Sequence, residues 1–379
     1  MTSSTTHSPV DATGRICLVG LIAGGQSGVP RYAVMLTRAL DRVSREFPAL
    51  QITLVTNERG CSEIDPRILE VRIPSGPSRR FNAGPKRILA EQILAARAKA
   101  DILHFFDLSG PILAPSRAFV TTAHDASVAY RPRRRHAYKR RLSPWALAHA
   151  QRIVAVSSFA KDEVVHHFGA DPSKIDIVYS GPGIEPLELS AEQTIRAANT
   201  PYLLYVGNLG ANKNASFLIE AFERTDVSAE LLFVGGKDKL LGPLLRAIEV
   251  SPAHERIRFI SDVSDSELDA LYRNAVALVF PSRYEGFGFP PLEAMSRGCP
   301  VLASDIPVVR EISGSGAMLL PLDDHAAWSD GMRRIVEDER LRSELRERGT
   351  ATVERYSWDE AARRICHIFL ALLPADGKR

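Results

Sequence analysis

Cysteine is scarce: there are four in 379 residues, at positions 17, 61, 299 and 366, and no Cys-x-x-Cys pair. That excludes a disulfide scaffold and argues against a structural zinc site or a thioredoxin-type motif. Free, buried thiols in a reducing compartment are the remaining reading. Long hydrophobic runs are also missing. The apolar stretches at 16–22, interrupted by Gly20, and at 275–280 fall well short of the roughly 18–20 residues that cross a bilayer. Residues 1–14 carry one charge, Asp11, and lack the basic end and apolar stretch of an export signal, so they read as a flexible tail. Glycine (25) and proline (24) are too few for low-complexity disorder.

Net charge is small, +3 from 48 basic and 45 acidic residues, but it is unevenly placed. Residues 1–190 hold 25 Lys and Arg against 17 Asp and Glu, a net of +8, whereas residues 191–379 hold 23 against 28, a net of −5. Opposite signs in the two halves point to two domains with different tasks. Periodicity agrees. Short apolar runs at 16–21, 51–56, 68–73, 102–106, 118–122, 152–157 and 174–179 are hydrophobic on both faces, as strands inside a parallel sheet are. Amphipathic stretches lie between them; Tyr32, Met35, Leu36, Ala39, Leu40 and Val43 share one helical face. The scheme repeats, with strands at 202–206, 229–234, 257–260, 275–280, 300–303 and 318–320 and helices near 213–224, 264–274, 290–297, 326–337 and 340–354. Ser264 and Glu267 have the spacing of a capping box. Glycine and proline break both periods after residue 180. The division is a tail (1–14), a Rossmann-like domain (15–185), a linker (186–200), a second Rossmann-like domain (201–356) and a closing helix (357–379). The fold class is α/β, with two doubly wound domains expected to face each other across a cleft, where such folds take ligands.

The densest motif is Ser282-Arg-Tyr-Glu285-Gly-Phe-Gly-Phe-Pro290-Pro-Leu-Glu293-Ala-Met. It follows a buried strand and opens a helix. Gly286 and Gly288 leave backbone N–H groups uncovered. Pro290 and Pro291 suit a first helical turn, and a helix start can hold a diphosphate. Two carboxylates eight residues apart could grip hydroxyls at the two ends of an elongated ligand, a sugar ring at one end and a ribose at the other. Each glutamate alone reads equally as a solvated or dipole-complementing residue.

This string, continuing through Gly298-Cys-Pro300-Val301, Ala303-Ser-Asp305-Ile-Pro307 and Val309-Arg-Glu311, resembles the Glu-x7-Glu signature of retaining glycosyltransferases of family 4. The resemblance runs from about residue 15 to 373 and implies the GT-B architecture, its last helix crossing back to the first domain. It implies that the first domain receives the acceptor and the second the nucleotide-sugar. Glu285 then matches the glutamate that contacts the donor sugar, and the N–H groups of Gly286, Phe287 and Gly288 match the loop around it, with Pro290 and Leu292 beside them. Glu293 matches the ribose-binding glutamate. Gly207-Asn208-Leu-Gly-Ala-Asn212-Lys213-Asn resembles the segment whose basic residues neutralise the diphosphate; Lys213 is kept, and Asn212 stands where the family has arginine. Arg283, Lys237 or Lys239 are the available substitutes. Gly25 and Gly28, ahead of Arg31 and Tyr32, resemble the family's first glycine loop, with Arg31 and Tyr32 on the acceptor side. His124 and Asp125 end a strand and match a catalytic His-Asp pair. Val263, after Ser261-Asp262, matches the segment that reads the base.

Seven cations, Arg131, Arg133, Arg134, Arg135, Lys139, Arg140 and Arg141, fall within eleven residues. A solvated helix face, an anionic membrane surface or lipid phosphate, and a nucleic-acid arm are the readings. The place of the run in the acceptor domain ranks membrane above nucleic acid, and no nucleic-acid partner is expected. The resemblance implies retention. Departure and attack on one face of the sugar are expected, since no opposed carboxylate pair of the glycosidase kind is identifiable. An Asp-x-Asp pair is absent, so no metal or other cofactor is expected. GDP-mannose leads as donor, ahead of UDP- and dTDP-sugars. The acceptor is a glycan or lipid-linked saccharide in cell-surface polysaccharide or glycolipid synthesis. The expected location is cytoplasmic, with a peripheral place on the inner face of the membrane. The alternatives are a nucleotide-sugar epimerase of the same shape and a non-catalytic lipid- or polyanion-binding protein.

Overall fold

The computed structural model describes residues 14–20, 28–57, 69–73, 85–113, 116–130, 137–184, 200–236 and 241–374. The chain forms two compact units. The first comprises residues up to Val156, Ala160–Val178 and everything from Trp358; the second comprises Ser157–Phe159 and Tyr179–Ser357.

Within the first stretch of chain the elements are β1 (Gly14–Val19), α1 (Gly28–Val43), β2 (Leu50–Asn57), β3 (Leu69–Ile73), α2 (Pro85–Arg97), β4 (Ile102–Phe105), β5 (Ala118–Ala123), α3 (Ser127–Tyr130), α4 (Ala137–His149), β6 (Arg152–Ala155), α5 (Ser158–Phe168) and β7 (Ile175–Ile177). The strands form one parallel sheet in the order β3-β2-β1-β4-β5-β6-β7. β4 is buried along its whole length, as the unbroken apolar pattern requires.

The second sheet uses β8 (Tyr202–Val206), β9 (Glu230–Val234), β10 (Ile257–Ile260), β11 (Ala277–Phe280), β12 (Val301–Ser304) and β13 (Ala317–Leu320), all parallel, in the order β10-β9-β8-β11-β12-β13. Around it lie α6 (Ala215–Phe222), α7 (Leu241–Val250), α8 (Asp265–Asn274), α9 (Phe289–Met295), α10 (Pro307–Ser313), α11 (His325–Glu337) and α12 (Glu339–Val353). The Ser264 capping box is formed as the spacing predicts, with both reciprocal bonds present. The core of this unit gathers Leu203, Phe222, Phe233, Val279 and Trp328, none more than 1% exposed.

The last helix, α13 (Trp358–Leu372), packs along α1 in the first unit. Trp358 meets Tyr32 edge-on at 5.5 Å, the ion pair Arg42–Asp359 fastens the two helices outside, and Arg363 pairs with Glu46 in the 3-10 turn that follows α1. In both sheets the order reverses between a first strand and its neighbour, at β1/β4 and at β8/β11. Loops leaving the carboxyl ends of strands at such switch points are where doubly wound sheets place ligands. Cys17, Cys299 and Cys366 are free and buried, and Cys61 lies outside the described residues. Among the described residues no helix is long and apolar enough to cross a membrane.

Candidate active site

The second unit assembles most of the motif residues at its switch point. Gly207 follows β8, and its N–H donates to the Val234 carbonyl at 3.0 Å. The backbone of β9 comes close here: a β-carbon on Gly235 would lie 2.4 Å from the Gly207 carbonyl oxygen, so only glycine fits. Asn208 is exposed, and its side chain accepts the Gly210 N–H at 3.0 Å. The chain then makes a short 3-10 turn, Ala211–Lys213, and enters α6 through Asn214 in the left-handed region, φ 59°.

That turn is laced to the loop after β11. The Arg283 N–H donates to the Asn212 carbonyl at 2.8 Å, and the Asn212 side-chain amide donates to the Tyr284 carbonyl at 3.2 Å. The neutral Asn212 side chain thus ties the two loops through backbone. The Lys213 ammonium donates to Glu285 Oε1 at 2.5 Å and lies 5.6 Å from the centre of the Phe280 ring. Both partners are mostly buried, with side-chain exposures of 14% and 10%. The cation and the carboxylate thus come from two loops and neutralise each other. Arg283, one possible substitute cation, is paired with Asp323 at 2.8 Å, and Asn214 donates to the same carboxylate at 2.9 Å. Lys237 and Lys239 lie outside the described residues.

The helix start departs from the sequence reading in one respect. α9 has seven residues, Gly288 is its N-cap, and prolines fill positions 290 and 291. Proline carries no N–H, so the first turn offers a ligand fewer donors than a helix start normally does; the N–H groups of Gly288 and Phe289 are what remain. Gly288 holds φ +94°, a conformation that L residues adopt only under strain. Leu292 is fully buried, Phe287 is 6% exposed and Glu293 only 4%. The Leu292 side chain belongs to the core, which leaves only its backbone for a ligand. The Tyr272 hydroxyl donates to Glu293 Oε2 at 2.7 Å. Burial first, and then the neighbouring Glu293 charge, push the Tyr272 phenol well above its ordinary range, so it remains a donor. Beneath this pair the Arg297 guanidinium reaches Asp269 at 2.9 Å, the Glu293 carbonyl at 3.3 Å and the Ile184 carbonyl at 3.2 Å. Val263 is half-buried and follows Asp262, which has φ 59°.

In the first unit, His124 leaves the end of β5. Its Nε2 lies 2.9 Å from the Phe106 carbonyl; a carbonyl only accepts, so Nε2 carries the proton. Burial holds the imidazole below its ordinary value, partly offset by that carbonyl. The Tyr32 ring meets it edge-on at 4.7 Å. Tyr32 is 2% exposed, so it supports His124 from the core rather than presenting a side chain to an acceptor. Asp125 accepts the Ser127 N–H at 2.9 Å, a bond that starts α3. Gly28 opens α1 with open space around it, and Arg31 is half-buried in the first turn. Lys139 pairs with Asp107 at 3.2 Å, which takes it out of the free basic run, whereas Arg140 and Arg141 on α4 are exposed. Gly25, Arg131, Arg133, Arg134 and Arg135 lie outside the described residues.

Residues 26–182 match the model named Glycosyltransferase Family 4, and residues 188–352 the model named Glycosyl transferases group 1. The chain belongs to glycosyltransferase family 4. It is similar to O-antigen chain mannosyltransferase B of Escherichia coli, 29% identical over 365 residues covering 88% of this chain and 93% of that one. Among solved structures it resembles a sucrose-phosphate synthase from Thermosynechococcus elongatus (TM-score 0.77, 20% identity, 95% and 99% of the two chains). It also resembles HepE of Anabaena in complex with UDP and glucose (TM-score 0.73, 15% identity, 95% and 100%). The fold is GT-B, and the chain is a glycosyltransferase of a retaining hexosyltransferase family. Sequence reasoning alone did not find Tyr272, Asp323 or Ser157 as partners of the motif; they lie far from it in sequence, and only the topology brings them to it.

Proposed function

We propose that this family 4 enzyme transfers a hexose, mannose from GDP-mannose first among the candidates, to a hydroxyl of a glycan or lipid-linked saccharide in cell-surface polysaccharide or glycolipid synthesis. The observation that carries the reading is the Lys213–Glu285 pair at the switch point of the second sheet, beside the N–H groups of Gly286, Phe287 and Gly288. The similarity to an O-antigen mannosyltransferase supports the choice of sugar. UDP- and dTDP-sugars are the competing donors.

Lys213 is paired with Glu285. An arriving diphosphate competes for the ammonium, and Glu285 is released to accept hydroxyl bonds from the sugar. Glu293, held by Tyr272, accepts from the ribose, and the Val263 backbone lies along the base. Gly207 and Asn208 keep the loop close to the phosphates. The leaving phosphate takes the acceptor proton on the same face of the sugar. His124, kept neutral, supplies a dipole rather than a charge near the anomeric carbon, and Asp125 fixes the turn that carries it. The protein's share of catalysis is orientation and electrostatic stabilisation. Arg140, with Arg133, Arg134 and Arg135, supplies contact with an anionic bilayer carrying the acceptor.

Thermal stabilisation across a panel of GDP-, UDP- and dTDP-sugars, followed by transfer of labelled sugar, tests the reading. Stabilisation by one nucleotide-sugar and loss of transfer in Glu285→Gln are expected. Transfer that survives Glu285→Gln, or no response to any donor, overturns it. Interconversion of the free nucleotide-sugar without an acceptor would point to an epimerase instead.

A further inference from the structure

The Glu285 loop is gripped from a second side, away from Lys213. The Ser157 hydroxyl, on a residue with no exposure, donates to the Gly286 carbonyl at 2.8 Å. Two residues on, the Phe159 ring meets Tyr284 edge-on at 5.7 Å. Residues 157–159 thus touch the loop on both sides of Glu285. All of these residues belong to the second unit.

What holds residues 157–159 is a carboxylate remote in sequence. Glu311, on α10, accepts the Ser158 N–H at 2.6 Å through Oε1 and the Phe159 N–H at 3.0 Å through Oε2. These are the first two amides of α5, which have no acceptor within the helix. The Tyr179 hydroxyl donates to Glu311 Oε1 at 2.9 Å. The Tyr356 hydroxyl fixes the α10 backbone below by donating to the Ile312 carbonyl at 3.0 Å, and its ring touches Phe287 at 6.1 Å. Both carboxylate oxygens are therefore used, and two of the three donors are amides of the segment that grips the loop.

The consequence lies in one peptide plane. The Gly286 carbonyl and the Phe287 N–H belong to the same peptide, and the structure has no cis bonds. In a trans peptide the two groups point in opposite directions. Holding the carbonyl on Ser157 therefore aims the Phe287 N–H away from Ser157. We infer that Glu311 is a positioning residue for sugar transfer: through residues 157–159 it fixes the Gly286–Phe287 peptide, so that the Phe287 N–H is set for the donor sugar beside Glu285. The inference rests on the proposal that this loop holds the donor sugar.

The experiment compares Ser157→Ala, Glu311→Gln and their double variant, with the favoured nucleotide-sugar as donor and the free nucleoside diphosphate as a binding probe. Glutamine turns one acceptor oxygen into a donor that faces N–H or O–H groups. Each single variant is expected to lower kcat at least ten-fold while nucleoside diphosphate affinity stays within about two-fold. The double variant should lose little beyond the worse single, because both act on one carbonyl. Hydrogen exchange of the 284–288 amides should rise at least ten-fold, with the rest of the second unit unchanged. Additive losses, unchanged kcat in folded variants, or faster exchange spread over the whole unit would overturn the inference. If Glu311→Gln does not fold, Tyr179→Phe removes one bond from the same carboxylate and takes its place in the cycle. Glu285→Gln separates the two levels: if it leaves transfer intact, the donor reading itself fails, whatever Glu311 does.

Discussion

His104 makes the first unit sensitive to acid. It sits in the middle of β4 with no exposure. Its Nε2 lies 2.9 Å from the Thr122 hydroxyl, while Nδ1 has no hydrogen-bond partner. Phe106 and Phe369 rings flank it at 5.3 and 5.6 Å. A second proton would place an imidazolium in this dry setting, close to His124. Burial, with a smaller contribution from His124, accordingly lowers its pKa from 6.5 to about 3. In the unfolded chain the ring takes up its proton near 6.5; in the folded chain it resists until about 3. Between these values the unfolded state binds more protons, so stability is intact above about 6.5 and falls as pH drops. The slope is about 1.4 kcal/mol per pH unit, which makes roughly 2 kcal/mol at pH 5 and about 5 kcal/mol over the whole range. His104→Phe keeps a ring and removes the titration, at the pH-independent cost of leaving the Thr122 hydroxyl without its partner, about 1–2 kcal/mol. The variant should be the less stable protein at pH 7.5, and the two stabilities should meet between about pH 5 and 6. Urea unfolding read by tryptophan emission measures this, with Trp328→Phe as the background so that the signal reports Trp145 and Trp358 in the first unit. A gap between the two proteins that does not change with pH would refute the reasoning.

Three further outcomes follow from the second unit. Lys213→Ala removes the ammonium and leaves Glu285 facing an anionic donor; kcat/KM for transfer should fall about 10²–10³-fold, the scale of losing one charge-stabilising donor, and a fall within two-fold would exclude the role. Arg297→Met breaks a pair with no exposure on either side and strips the Ile184 carbonyl of its donor. Asp269 keeps Arg273 at 2.6 Å, so the cost is that of the buried acceptors left without a donor, about 1–3 kcal/mol, as read by chemical denaturation. Gly288→Ala meets no clash, since the nearest side-chain atom would be 3.9 Å away; the cost is the φ of +94°, about 1–3 kcal/mol. The melting temperature of the second unit should therefore drop by roughly 2–10 °C, together with lost transfer.

Much of this was legible in the chain, because parallel strands advertise themselves. The thirteen short apolar runs correspond to the thirteen strands to within a few residues, and the Ser264 capping box set its helix start. Helices without a clean apolar stripe were harder. α7, with Leu245 and Val250 exposed, and α10, opened by Pro307, escaped periodicity. So did α4, whose basic face reads first as a charge run and which carries Pro144 inside. For the motif residues, sequence conveys type and order but not partners. Asn212 reads in sequence as a neutral residue where the family has arginine, and only the fold shows that its amide ties Tyr284. Tyr32 sat both on the apolar face of its helix and on the expected acceptor side; α13 covers it and decides for the core. Glu311 could be read only as one more match to a family habit, because its partners come from residues 158, 159 and 179.

The two sheets share one strand order, yet their switch points differ electrostatically, and this bears on how an anionic donor is received. At the first, His104 and His124 are both held neutral by burial, and Tyr32 packs against His124. At the second, Lys213 and Arg283 are each matched by a carboxylate, in the half of the chain with a net charge of −5. Long-range attraction therefore does little to bring a diphosphate in, and local exchange must do the work. A free nucleoside diphosphate that draws Lys213 away leaves the mostly buried Glu285 carboxylate without that partner, which is costly. A nucleotide-sugar makes the same demand on Lys213 but brings hydroxyl donors that Glu285 can accept. The exchange balances only for the complete donor, so a nucleotide-sugar should bind more tightly than its own nucleoside diphosphate. Glu285→Gln should narrow that difference, because the amide has no charge to strand when Lys213 leaves. Calorimetry with the sugar-bearing and sugar-free ligands on both proteins reads the difference directly, and a preference unchanged by Glu285→Gln would show that the pair takes no part in donor selection.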